Sequence, residues 1–108
     1  MTLASVLLAT CLLPATGGDP AIQYTLNFTG GNKTDVNQYV LHMKTEDGQI
    51  DSDLPLRLVE WSGANTFIVQ AGYIALSIKD GKSTDSQASV ALGQSQNMVC
   101  KADLSSVR

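Results

Sequence analysis

Alternation of apolar and polar side chains with a period of two constrains this chain more than any other feature. It is clearest over residues 72–92, GYIALSIKDGKSTDSQASVAL. Ile74, Leu76 and Ile78 alternate with Tyr73, Ala75, Ser77 and Lys79; Ala88, Val90 and Leu92 alternate with Gln87, Ser89 and Ala91. Successive side chains on a strand point to opposite faces, so this period builds a sheet with one apolar face. Asp80-Gly81 between the runs is a hairpin signal, because the tight turn between antiparallel strands needs positive φ. The stretch predicts a strand, a turn and a strand.

The pattern recurs along the chain. Ile22, Tyr24, Leu26 and Phe28 alternate with Gln23, Thr25 and Asn27, and Gly30-Gly31-Asn32 ends the run. Tyr39, Leu41 and Met43 make the apolar side of a second strand, with Gln38, Val40, His42 and Lys44 opposite. Asp47-Gly48 is another hairpin signal. Leu54, Leu56 and Leu58 then share one face, and Pro55, Arg57, Val59 and Trp61 the other. Pro55 marks a strand start or a sheet edge, since it cannot donate to a ladder. Ser62-Gly63-Ala64-Asn65 reads as a turn, and Ala71-Gly72 as either a tight turn or a bulge within one long strand. Met98, Cys100, Ala102 and Leu104 form the apolar side of a last strand, with residues 105–108 as a tail. No stretch after residue 18 sustains a helical period. About seven strands predict an all-β fold, an antiparallel β-sandwich of immunoglobulin-like type, with a small β-barrel as the alternative.

The uncharged run LASVLLATCLL at residues 3–13 is too short for a helical membrane span, which needs about 20 residues, and fits the apolar region of a secretory signal. Residues 1–18 are therefore expected to be a cleaved leader and residues 19–108 a single β domain, although no basic residue precedes the run. Leu8-Ala9-Thr10-Cys11 also has the look of a lipid-attachment site. With the leader removed, Cys100 is the only cysteine and reads as a small buried hydrophobe. Were the leader retained, pairing with Cys11 becomes conceivable. The localisation expected is secreted or periplasmic.

Composition narrows the function. A net charge of −3, with the basic residues scattered singly, argues against a nucleic-acid partner. A domain of this size has a modest core, with little room for a deep catalytic cleft. His42 is the only histidine and shows no fixed partner for a catalytic triad. Zinc catalysis wants more His and Cys ligands than the chain holds. Glu46, Asp47, Asp51 and Asp53 form an acidic cluster without the spacing of a calcium loop, and read as a solvated hairpin tip. Asn27-Phe28-Thr29 and Asn32-Lys33-Thr34 match the glycosylation sequon. No metal, cofactor or catalytic set is expected, and the chain is not expected to be an enzyme.

What remains is binding. Trp61 beside Arg57 suits a contact hot spot, the competing reading being that Trp61 caps the core at the strand end. The wet tip carrying Asp80 and Lys82, and the acidic segment with Asp47 and Asp51, are the loops free to contact a partner. The expected function is an exported, non-enzymatic binding or assembly-accessory domain, inhibitor-like or chaperone-like, acting through strand edges and loops. Its partner is another protein, with no membrane span and a monomeric or weakly oligomeric state. A structural subunit of a surface fibre is an alternative.

Ser62-Gly63-Ala64, Tyr73, Lys79, Gly81 and the late Cys100 resemble, in order, the motifs of periplasmic lysozyme inhibitors of the membrane-bound C-type class. The likeness touches under a third of the chain, and Asp80 separates the lysine from the glycine. It implies a small β-barrel that inhibits lysozyme. That pattern pairs its late cysteine with an early one, which a cleaved leader would remove.

Overall fold

The computed structural model describes residues 5–89 and 95–108, with 82–89 described by backbone alone. Among the described residues, nine strands form one antiparallel sheet: β1 (Val6–Leu13), β2 (Ile22–Phe28), β3 (Tyr39–Thr45), β4 (Asp51–Leu54), β5 (Leu58–Ser62), β6 (Thr66–Ala71), β7 (Ile74–Lys79), β8 (Gly81–Ser89) and β9 (Ser95–Ala102). Their order across the sheet is β4-β3-β2-β1-β9-β8-β7-β6-β5. The chain thus runs as two up-and-down meanders, β1 to β4 and β5 to β9. They meet at the β1–β9 ladder, where Cys11 lies directly opposite Cys100. The all-β, antiparallel expectation is met. The immunoglobulin-like order, with strands exchanged between two sheets, is not found, and no β4–β5 pairing closes the sheet into a barrel.

The sheet is nonetheless rolled. Laid flat, nine strands would set the outer pair about 38 Å apart. Yet β4 and β5, the outer strands, are joined by residues 55–57, a link that reaches at most about 14 Å. The two meanders therefore face each other across one core. Tyr39 of β3 lies 5.8 Å from Phe67 of β6, ring centre to ring centre, and Phe28 and Trp61 extend the cluster on either side.

Alternation places the core as expected in β2, β3 and β9, burying Tyr24, Leu26, Phe28, Leu41, Met98 and Cys100. Leu76 and Ile78 of β7 are buried too; Val90 and Leu92, expected inward, lie outside the described residues. The question at Ala71-Gly72 resolves as a tight turn: Ala71 pairs with Ile74, and Gly72 supplies the positive φ of 59°.

Four observations differ from the sequence reading or add to it. First, residues 6–13 of the run expected as a leader form β1, which lies beside the central strand β9, and residue 18 falls in the β1–β2 connection. A bulge between Leu7 and Ala9 lets the adjacent Leu8 and Ala9 both point into the core. Second, Cys100 is buried but not free: it is bonded to Cys11, which therefore has no thiol to lipidate. Third, Val59 is buried and Leu58 is not, the reverse of the face expected for β5, while Trp61 packs on the edge of the core, the place its position at the strand end suggested. Pro55 ends β4, and the link from 55 to 57 resets the parity before β5 begins. Fourth, residues 105–108 are no loose tail. Leu104 and Val107 are fully buried and plug one end of the rolled sheet.

Candidate functional site

The plugged end gathers two of the segments that carry the lysozyme-inhibitor resemblance. Ser62, Gly63 and Ala64 turn the chain from β5 to β6, with Gly63 at a φ of 73°. Lys79, Asp80 and Gly81 form the corner from β7 to β8. Thr66 pairs with Lys79, which sets turn and corner side by side, and the Asp80 N–H donates to the Asn65 carbonyl at 2.9 Å. Tyr73, at the opposite end of β7, stands 82% exposed and apart from them.

Arg108 ties this end together. Its Nε and Nη2 donate to Asp80 Oδ2 at 3.2 and 2.8 Å, and its Nη1 donates to the Ala64 carbonyl at 2.8 Å. The guanidinium lies 4.7 Å from the centre of the Trp61 ring, whose Nε1 donates to the Val107 carbonyl at 3.1 Å. Asp80 Oδ1 accepts from the Leu104 N–H at 3.0 Å. From the far side, Lys33 Nζ donates to the Arg108 carbonyl and the Tyr39 hydroxyl to the Lys33 carbonyl, both at 2.6 Å. The ion pair is partly open to water and contributes at most about 1 kcal/mol to stability. Its larger effect is to hold two loops and the terminal segment in one geometry, which lowers the ordering cost of any contact made there.

Asp80 also explains why no tight hairpin forms at Asp80-Gly81. β7 and β8 pair Ala75 with Ser89 and Ser77 with Gln87, which does not centre on that dipeptide. Instead Gly81 pairs with Ala102 of β9, with an irregularity before Thr84. The carboxylate is committed to the terminal segment, and the corner opens to follow it.

A second polar cluster lies on the β3–β4 hairpin. His42 Nδ1 is 2.7 Å from Asp53 Oδ1 and Nε2 is 2.5 Å from Asp51 Oδ1. A neutral imidazole can donate through only one nitrogen, so this bridge favours the doubly protonated ring. The hydrogen bonds to Asp53 and then to Asp51 raise the His42 pKa above its ordinary value. Asp47 serves the turn instead. Its Oδ1 accepts from the Thr45 hydroxyl at 2.7 Å and the Gln49 N–H at 3.0 Å, and these bonds, the Gln49 one first, lower its pKa.

The residues expected to bind are thus dispersed. Trp61 and Asp80 meet at the Arg108 clamp, and Asp47 and Asp51 share the acidic hairpin. Arg57 is exposed on the 55–57 link, its N–H bonded to the Gln70 carbonyl, while Trp61 turns inward. Lys82 lies in β8, and its side chain is outside the described residues. Arg108 went unrecognised because nothing in a terminal arginine reveals what it folds back upon. Among the described residues, no helix is long and apolar enough to cross a membrane. No protein-family model, curated protein or solved structure matches this chain.

Proposed function

We propose that this chain is an exported, non-enzymatic binding domain that presents its plugged end to another protein, and that it acts in the manner of the small lysozyme inhibitors. The observation that carries the reading is the clamp. The Ser62-Gly63-Ala64 turn and the Lys79-Asp80-Gly81 corner, far apart in sequence, are held together by Arg108. Two further features support it. The rolled meander approaches a small barrel, and Cys11 supplies the early partner for Cys100 that the inhibitor pattern has. A disulfide belongs to an oxidising compartment, which agrees with an exported or periplasmic protein.

The fibre-subunit alternative draws less support. The two outer strands are four and five residues long, and β4 carries Asp51 and Asp53 and is followed by Pro55. Short, charged, proline-ended edges discourage strand addition.

Purified protein should inhibit hydrolysis of peptidoglycan by a C-type lysozyme. Lys79→Ala together with Ser62→Tyr should weaken that inhibition by about tenfold or more, a loss of 1.4 kcal/mol or greater, without changing the melting temperature by more than a few degrees. Absence of inhibition at high micromolar concentration would remove the lysozyme reading.

A further inference from the structure

The opposite end of the rolled sheet carries a cavity of about 560 Å³. It lies where β1 ends, β2 begins, β3 ends and β7 begins, roughly 17 Å along β7 from the Lys79 corner. Its wall is apolar: Leu13, Ile22, Tyr24, Met43, Ile50 and Ile74 line it. Leu13, Tyr24 and Met43 belong to the buried core, whereas Ile50 at the mouth is 42% exposed. The size falls in the range of small-molecule sites, which are mostly apolar with a few placed polar groups.

The charge at the mouth has one sign. Asp19, from the connection after β1, and Asp47, from the β3–β4 turn, both line the cavity, and among the described residues no Lys, Arg or His does. Asp47 Oδ1 accepts the hydrogen bonds from Thr45 and Gln49 that fix the carboxylate on its turn. The bonds that lower its pKa keep it ionised near neutrality. Asp19 sits beside a turn at Gly17 and Gly18 fastened by two backbone hydrogen bonds between Thr16 and Asp19, of 3.2 and 2.7 Å. Both carboxylates therefore stand on short, tied turns.

From this apolar cup with an acidic lip we infer a second binding site, independent of the plugged end, for a small amphipathic cation. The ligand class is an amine or quaternary ammonium on an aliphatic body. The aliphatic part covers Ile50 and the floor, and the positive head meets Asp19 and Asp47. An anionic amphiphile of the same length would place its charge against two carboxylates.

Octyltrimethylammonium, octanol and octyl sulfate, each below its micellar concentration, are suitable probes for the full chain. Titration followed by methyl chemical shifts should show saturable binding of the cation, with the largest changes at Ile22, Met43 and Ile74. Octyl sulfate should bind at least about fivefold more weakly, and Asp19→Asn with Asp47→Asn should erase that preference. Asparagine keeps the turn-forming oxygen at residue 47. Ile50→Trp, at an exposed position, and Ile74→Trp should each fill the mouth and abolish cation binding while a thermal melt stays cooperative. No saturable binding up to about 1 mM, where affinity is only about 4 kcal/mol, would overturn the inference. So would equal binding of octyl sulfate, shifts confined to other residues, or undiminished binding by both tryptophan variants.

Discussion

His42 has both ring nitrogens against carboxylates, and this makes the β3–β4 hairpin sensitive to pH. The folded-state pKa is raised, by Asp53 and then Asp51. The bridge therefore stabilises the fold fully below the unfolded value of about 6.5 and is lost as pH rises through the folded value. Its setting adds no other histidine: the partner on β2 is Thr25, and Lys44 shares the outer face. Urea unfolding midpoints should fall as pH rises from about 6 to 9 in the parent protein and stay flatter in His42→Gln; matching profiles would mean the bridge does not form in solution. The register of this hairpin was legible but the bridge was not, since the sequence shows no fixed partner for His42 and the carboxylates read as a solvated tip. Counting outward from Asp47-Gly48 as the turn pairs His42 with Asp53 and Lys44 with Asp51, the register observed. Asp51 reaches His42 across the diagonal. Trp61 was less so, because its face depends on how residues 55–57 cross the open seam.

At the scale of the element, β1 carries the most. It gives Leu8, Ala9, Cys11 and Leu13 to the core and pairs on both sides, with β2 and β9. It also holds one half of a disulfide spanning 89 positions, a closure that contributes about 4–5 kcal/mol in chain-entropy terms. A chain of residues 19–108 alone should lack cooperative unfolding by circular dichroism, where the full chain melts cooperatively. A truncated chain that melts within a few degrees of the parent would show that the sheet closes without β1. No local signal separates this strand from a leader, which is how the sequence reads it. Its outer positions Leu7 and Leu12 are apolar, its bulge breaks the alternation, and the result has the composition of an export signal. Leu12 lies opposite the equally exposed Val99, so that apolar outer face continues into β9. By contrast β2 and β3, with one wet face and one dry, could be placed from their residues alone.

Across the whole molecule, strand character and antiparallel direction followed from alternation and turn residues, while strand count, about seven expected against nine among the described residues, and sheet order did not. Local signals join neighbours in sequence, and Asp47-Gly48 and Gly72 each specify one hairpin. The β1–β9 ladder joins the two most distant strands, and nothing near Cys11 or Cys100 points to the other. The plug at one end and the cup at the other arise only once that ladder has brought the meanders together.

The 55–57 link across the open seam has a consequence for how the chain could be rewired. Every neighbouring pair in the sheet is consecutive in sequence except β1 with β9. A circular permutant that joins Arg108 to Ser5 through a flexible linker and opens at residues 55–57 would make all nine strands sequential, from β5 round to β4. Its contact order drops while its sheet, disulfide and core are unchanged. Because non-local pairing slows folding, the permutant should refold faster than the parent with both cysteines reduced. Equal refolding rates in stopped-flow measurements would indicate that β1–β9 pairing is not what limits folding.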